Sequence, residues 1–200
     1  PYRRQRQMCI RDSACGVSDI LMHTLDRYFN PVTDNALTDE LAEALLRVVL
    51  EYGPAAVRDA HDEKAMSEIM WAGSLSHNGL TGLGGRKDFA THQLGHALSE
   101  KFDVYHGDSL TAVWSSWAQS VMDADPARFA RFARNVWHVE EADDTAAALA
   151  GIAKQEAFFQ SIGMPVRLGE LSCGKQDEAG LADLCLLYTS PSPRDGATSR

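Results

Sequence analysis

Four-residue spacings between acidic and histidine side chains constrain this chain more than any other feature. Asp19 is followed by His23, and His92 is followed by His96. In an α-helix, residues four apart project from the same face, one turn above the other. Each pair is therefore predicted to lie on a helix and to form half of a metal site. His106 comes after a predicted turn beyond His96 and is a further candidate ligand.

The side-chain chemistry of these residues narrows the choice of metal. One carboxylate with several imidazoles suits Fe(II) or Zn(II), whereas Ca(II) and Mg(II) prefer oxygen ligands. The alternative is that these residues bind no metal. Asp19 and His23 would then form a surface pair, and His92 and His96 would be ordinary packed side chains. The four-residue spacing favours His92 and His96 as ligands because they share a face. It leaves open which three histidines bind.

The composition excludes several classes of protein. The chain has 200 residues, of which 44% are hydrophobic, and a formal net charge of −9. An acidic chain is poorly suited to binding nucleic-acid phosphates, and no apolar run is long enough to span a bilayer. Of the four cysteines, Cys9 and Cys185 lie in the end segments described below. The other two, Cys15 and Cys173, lie far apart without a CxxC motif, which favours a reducing compartment. We therefore expect a cytoplasmic protein with no nucleic-acid or membrane partner.

The two ends of the chain differ in composition from its middle. Residues 1–13 are rich in arginine and show no helical or strand periodicity, and residues 185–200 end in a low-complexity run of Ser, Pro and Gly. Both ends resemble translated sequencing-adapter read-through, and two natural disordered tails are the alternative. Non-native segments are kept out of fold prediction. The predicted domain therefore covers residues 14–184.

The middle of the chain is predicted to be all-α, because apolar residues recur with the helical period in one segment after another. Gly53-Pro54 is expected to end a helix, and Asp125-Pro126 to begin one. Thr38, Asp88 and Asp143 or Asp144 are further predicted starts. In chain order the predicted helices cover 16–29, 38–52, 63–79, 88–102, 109–121, 127–137 and 144–162.

Five stretches of the sequence resemble the C-terminal helical domain of iron-containing alcohol dehydrogenases, closest to their butanol dehydrogenase branch. They keep the family's order and spacing from residue 14 to about residue 184. The stretches are ACGVSD at 14–19 with His23, EIMWAG at 68–73, HNGL at 77–80, the run from DFATH to HG at 88–107, and FFQSIGMP at 158–165.

This resemblance implies a site and a reaction. The implied ligands are Asp19, His23, His92 and His106, around Fe(II) with Zn(II) as a possibility. The resemblance puts His96 near the nicotinamide and the substrate, as a catalytic and cofactor-contacting residue. The implied reaction is hydride transfer between an alcohol and an aldehyde or ketone, with NAD(P)(H). A homodimer or larger assembly is expected of the full-length enzyme.

Members of this family begin with an α/β nucleotide-binding domain, and no glycine-rich phosphate loop of that kind is found here. We therefore expect a C-terminal fragment that binds metal but lacks nucleotide-dependent activity by itself. Two alternatives are kept. One is a relative on the same fold, similar to a glycerol dehydrogenase or a dehydroquinate synthase, and the other is a non-catalytic helical metal-binding domain.

Three remaining histidines are less informative. His61 and His138 are predicted to face solvent. His77 is left open, because the adjacent Asn78 and Gly79 indicate only a helix end near the cleft. The glycine-rich loop at residues 82–85 either lies near the active-site cleft or simply connects two helices.

Overall fold

The computed structural model describes residues 2–30, 35–85 and 89–173, with side chains from residue 10 onward. These residues form helices and short 3-10 turns, and no strand occurs among them. The prediction of an all-α domain is thus confirmed. The α-helices are α1 (Tyr2–Tyr28), α2 (Ala36–Arg58), α3 (Glu63–His77), α4 (Ala90–Phe102), α5 (His106–Val121), α6 (Pro126–Trp137) and α7 (Asp144–Ser161).

Helix α1 lies at the centre of the bundle and contacts α2, α3, α4 and α5. Leu21, Met22 and Leu25 of α1 are fully buried in the main core. Burying a side chain of this size contributes about 1.5–3 kcal/mol. The same core contains Leu46 of α2, Trp114 of α5, Phe132 of α6, and Ile152 and Phe159 of α7. The core therefore fixes α1 in place, including the polar face that carries Asp19 and His23.

Two glycines allow α1, α4 and α5 to approach closely. A Cβ atom on Gly107 would lie 2.7 Å from the Cα atom of Cys15, which is backbone and cannot move aside. A Cβ atom on Gly95 would lie 2.7 Å from a methyl group of Leu110. Gly107 thus brings the start of α5 against α1, and Gly95 brings one face of α4 against α5.

The acidic helix starts are confirmed at two positions. The Asp125 side chain accepts a hydrogen bond of 3.1 Å from the backbone N–H of Arg128, and proline is the first residue of α6. The Asp143 side chain accepts a bond of 2.8 Å from the N–H of Ala146 at the start of α7. Such caps satisfy N–H groups that have no partner within the helix.

The first helix extends well beyond its predicted start at residue 16, into the segment that was kept out of fold prediction. Helix α1 begins at Tyr2, and no glycine or proline between this residue and Ser13 interrupts it. Arg11, within the added turns, pairs with the carboxylate of Asp108 on α5. Whether residues 1–13 and 185–200 are non-native stays a prediction, and residues 185–200 lie outside the described residues.

Helix α2 differs from its prediction at both ends. It begins at Ala36, and the hydroxyl of Thr38 donates to the Leu83 carbonyl at 3.2 Å instead of capping the helix. It also continues through Pro54 to Arg58. Proline removes one helical hydrogen bond, but Ala56 and Val57 beyond it are buried in the core. Tertiary packing therefore outweighs the local stop signal.

Helix α5 begins three residues earlier than predicted, at His106. The Ser109 hydroxyl donates to the His106 carbonyl at 2.8 Å, and the Ser109 N–H donates to the Tyr105 carbonyl at 3.0 Å. His106 thus lies in the first turn of a helix and not in a loop. The predicted cap Asp88 lies outside the described residues, and α4 is preceded by Phe89 with a φ of 54°.

None of the helices in the described part of the chain is both long and apolar enough to cross a membrane.

Candidate metal centre

One face of α1 carries three polar side chains at successive helical turns, namely Asp19, His23 and Asp26. The first turn of that face, at Asp19, meets the start of α5, and the third, at Asp26, meets α4. His106 and His92 therefore come next to α1 from two other helices, although they lie far from Asp19 in sequence. The structure brings together all four residues that the family resemblance implied as ligands.

Three imidazoles converge on one carboxylate oxygen. The distances from Asp19 Oδ1 are 3.7 Å to His23 Nε2, 3.6 Å to His92 Nε2 and 3.4 Å to His106 Nε2. Donors bound to one tetrahedral metal at about 2.0–2.2 Å lie about 3.4 Å apart. The spacing around Oδ1 is thus that of donors around a cation. The donor atoms of Asp19, His92 and His106 all lie within 4.8 Å of one another, and so do those of Asp19, His23 and His77.

Hydrogen bonding within the cluster is incomplete. Asp19 Oδ1 and His92 Nε2 are buried and have no hydrogen-bond partner, and neither has His23 Nδ1. A buried polar atom without a partner costs about 1–3 kcal/mol. The first two of these atoms face the space between the four donors, so a cation there would remove their cost. The residues present therefore fit a divalent metal with nitrogen and oxygen ligands.

Asp26 fixes the orientation of the His92 ring. Its Oδ2 accepts hydrogen bonds from His92 Nδ1 at 2.7 Å and from the His92 backbone N–H at 3.2 Å. Its Oδ1 accepts a hydrogen bond from the Thr91 hydroxyl. Because Nδ1–H donates to this buried carboxylate, the lone pair of a neutral His92 ring lies on Nε2, toward Asp19. Carboxylate partners of this kind are typical of metal-binding histidines.

The electrostatics of the metal-free cluster agree with a site for a cation. Burial favours the neutral form of Asp19, but contacts with His106, His92 and His77 outweigh it and hold the pKa of this carboxyl well below its usual value. Burial also opposes charge on His92, but the nearby Asp19 carboxylate and the hydrogen bond to Asp26 raise its pKa to about 9. Burial and the adjacent His92 lower the pKa of His23 to about 4. Without metal, the cluster thus holds a proton on His92 that a cation would replace.

His96 lies beside the four-donor cluster and faces solvent. Its ring is stacked on His106 with centroids 5.0 Å apart, and its centroid lies 6.1 Å from that of His92. Partial desolvation, and then His106, lower the pKa of His96. The shared helix face had favoured His92 and His96 as a ligand pair, but in the structure only His92 of the two faces Asp19 Oδ1 within the distances above.

Three residues near the cluster were not predicted as members of the site. Asp26 follows Asp19 and His23 at the i, i+4, i+7 spacing of one helix face, which is a signal that could have found it. His77 lies with its Nε2 atom 3.1 Å from Asp19 Oδ2, and its ring centroid is 4.0 Å from that of His23. Phe89 packs its ring edge against His23 and lies under the guanidinium of Arg27. The predictions that His61 and His138 are exposed are confirmed.

Residues 13–196 match the model of the Fe-containing alcohol dehydrogenase family, C-terminal. This match covers most of the chain, so the chain belongs to the Fe-containing alcohol dehydrogenase family and corresponds to its C-terminal part.

Several curated relatives are similar to this chain. A probable NADH-dependent butanol dehydrogenase 1 of Bacillus subtilis is 33% identical over 170 residues, which are 84% of this chain and 44% of that protein. The NADPH-dependent aldehyde reductase YqhD of Escherichia coli is 32% identical over 160 residues, 80% of this chain and 41% of that protein. The chain thus spans less than half the length of these two relatives.

Solved structures agree with the helical fold. The NADH-dependent butanol dehydrogenase A of Thermotoga maritima matches with a TM-score of 0.85 and 25% identity, over 92% of this chain and 46% of that one. Escherichia coli YqhD matches with a TM-score of 0.84 and 29% identity, over 90% of this chain and 46% of that one. The seven helices described above are therefore similar to a little less than half of each of these two structures.

Proposed function

We propose that this chain is the metal-binding part of an NAD(P)(H)-dependent alcohol dehydrogenase that interconverts an alcohol and an aldehyde or ketone. Asp19, His23, His92 and His106 would hold one divalent ion, Fe(II) with Zn(II) as the alternative. The observation that carries this proposal is the convergence of three Nε2 atoms on Asp19 Oδ1 at 3.4–3.7 Å. The family match and the dehydrogenase activities named for the relatives support it.

A divalent ion held by these residues would supply Lewis-acid polarisation of the substrate oxygen, and the nicotinamide would supply or take the hydride. The chain's own contribution is to orient donors and handle a proton. Asp26 keeps the His92 lone pair on Nε2, as its hydrogen bond at Nδ1 requires. His96, at the solvent edge beside His106, is proposed to pass the hydroxyl proton between substrate and water.

An apolar groove next to the cluster supports an aliphatic substrate. The groove has a volume of about 350 Å³ and has Asp19 and His77 in its lining. Its other walls come from α1, α2 and α3, and they include Val17, Ile20, Ala56, Met66, Ile69 and Met70. A carbon chain can be desolvated against such walls while its oxygen stays near the donors. The named activities of the relatives on butanol and aldehydes are in keeping with this substrate class.

Three further parts of the proposal depend on the whole protein. We propose a cytoplasmic enzyme, which is in keeping with the free thiol at Cys15. We propose a homodimer or larger assembly of the full-length enzyme. The 200-residue chain alone is expected to bind metal but to give no saturable coenzyme binding and no turnover, and a coenzyme titration that saturates would contradict this expectation.

The test of the metal centre is His92→Ala, with His138→Ala as a control on an exposed histidine. Purified chains are loaded with Fe(II) under anaerobic conditions or with Zn(II), and bound metal is measured by elemental analysis. We expect about one metal per wild-type and control chain and none in His92→Ala. Expressed from the complete reading frame, His92→Ala should also lose NAD(P)H-dependent aldehyde reduction. Retention of both metal and activity in His92→Ala would contradict the proposal.

A further inference from the structure

His77, the last residue of α3, makes a direct contact with the carboxylate that the metal centre depends on. Its Nε2 atom lies 3.1 Å from Asp19 Oδ2, the oxygen that does not face the other imidazoles. The ring is also packed against that of His23, with centroids 4.0 Å apart. The side chain is 43% exposed, compared with 5% for His92. His77 therefore holds the outer side of the cluster.

The other side of the His77 ring is anchored to its own helix. Nδ1 lies 2.8 Å from the Ser76 hydroxyl and 2.9 Å from the Gly73 carbonyl oxygen. Ser76 is fully buried, and its hydroxyl also lies 3.0 Å from the Gly73 carbonyl. Both ring nitrogens thus have partners, and the direction of the Nε2 atom is determined by α3.

The contact between Nε2 and Asp19 has two chemical explanations. A carboxylate oxygen is only an acceptor, so a bare lone pair on Nε2 would face another lone pair at 3.1 Å. Either Nε2 carries a hydrogen and donates to Oδ2, while Nδ1 of the neutral ring accepts from the Ser76 hydroxyl, or a cation lies between the donor atoms of Asp19, His23 and His77. The distance is that of an ordinary N–H···O hydrogen bond. Among the described residues, Asp19 Oδ2 has His77 as a hydrogen-bond partner, whereas the buried Oδ1 has none.

We propose that His77 is a positioning residue for Asp19. By donating to Oδ2, His77 prevents the carboxylate from turning both oxygens toward the metal, so Oδ1 alone faces His23, His92 and His106. This inference rests on the metal centre of the proposed function and adds a fourth helix, α3, to its support. Carboxylate ligands are commonly oriented by such partners, and removing the partner weakens metal binding about 10–100-fold.

The test compares His77→Ala with His77→Gln, whose amide N–H can still donate to Oδ2. Co(II) is the probe, and its affinity, stoichiometry and visible absorption spectrum are measured on each chain. His61→Ala, on an exposed histidine between α2 and α3, is the control. We expect His77→Ala to bind Co(II) about 10–100-fold more weakly with an altered spectrum, and His77→Gln to recover most of both. The stoichiometry should stay at one, and the metal-free Tm of both variants should stay near that of the control.

Three outcomes would overturn the inference, and they differ in whether the proposed metal centre survives. If His77→Ala binds Co(II) as the His61→Ala control does, His77 has no positioning role, although the four-ligand centre stands. If the wild-type chain binds two Co(II) ions and His77→Ala binds one, His77 is a ligand of a second cation. If the wild-type chain takes up no Co(II), both this inference and the proposed metal centre are wrong.

Discussion

Two polar clusters meet on helix α1, and they differ in whether the protein alone satisfies the hydrogen-bonding capacity of their buried atoms. The Glu43 cluster consists of Tyr28, Glu43, Arg131 and Asn135, and the metal-centre cluster consists of Asp19, His23, His77, His92 and His106. Glu43 is 1% exposed and accepts hydrogen bonds from Tyr28 at 2.7 Å, Arg131 at 2.6 Å and Asn135 at 2.9 Å. In the metal-centre cluster, by contrast, buried atoms of three side chains have no partner.

This contrast separates a structural role from a binding role. A buried charge that has all its hydrogen-bond partners stabilises the arrangement of α1, α2 and α6, and it needs nothing from outside. Burial raises the pKa of Tyr28, so its hydroxyl stays protonated and donates to Glu43. Unpartnered donors and acceptors cost free energy unless a ligand engages them. We therefore expect substitutions in the Glu43 cluster to change stability and substitutions in the metal-centre cluster to change metal binding.

The largest expected effect on folding comes from Glu43→Ala. Removing this carboxylate leaves the Tyr28 hydroxyl and the Arg131 guanidinium without their shared partner. Breaking a buried ion pair costs about 3–5 kcal/mol, and we expect the lower end, about 3 kcal/mol, because Arg131 is partly exposed. Denaturant unfolding of the metal-free chain measures this loss.

Glu40→Ala is the matched control, because Glu40 contacts the same guanidinium at 3.2 Å but is largely exposed. An exposed pair contributes about 0–1 kcal/mol. Metal affinity of the folded chain should be unchanged in both variants. Equal losses of stability in Glu40→Ala and Glu43→Ala would show that the buried cluster has no special structural role.

A smaller effect, larger on metal binding than on stability, is expected from Asp26→Asn. An asparagine can offer only one acceptor oxygen where Asp26 now accepts from both His92 and Thr91. An amide N–H facing His92 Nδ1 would favour a hydrogen on Nε2 and remove the lone pair that faces Asp19. We expect metal affinity to fall about 10–100-fold, measured by competition with a chelator. Asp103→Asn is the control, since residue 103 is exposed in a left-handed conformation that asparagine tolerates.

A loss of unfolding free energy in Asp26→Asn as large as that in Glu43→Ala, with unchanged metal affinity, would contradict the division between the two clusters. The carboxylate of Asp26 would then belong to the structural class, and the His92 tautomer would not depend on it.

The difference between the clusters also shows what could be predicted from the sequence. Asp19 and His23 could be placed on one helix from their spacing, and residue-by-residue resemblance added His92 and His106. Spacing alone favoured the His92 and His96 pair, because it describes one helix and not the neighbour that each side chain meets. His96 turns out to stack on His106 at the solvent edge.

Local sequence patterns could not predict the contacts between helices that are far apart in sequence. His77 reaches Asp19 because α3 crosses α1, where the Cβ of an alanine at Gly73 would lie 3.2 Å from the side chain of Ile20. Pro54 is a local stop signal that the burial of Ala56 and Val57 overrides. In both cases the deciding free energy comes from packing between segments far apart in sequence.

The smallest expected effect on metal binding comes from His96→Ala. This side chain is exposed beside the cluster, so metal content and affinity should match those of His138→Ala. In the enzyme expressed from its complete reading frame, loss of a proton-transfer group should slow turnover by about 10²-fold. A KM close to that of the wild type would indicate that the loss falls on turnover and not on substrate binding. If His96→Ala instead lost its metal, His96 would be a metal ligand and not a proton-transfer residue beside the four donors.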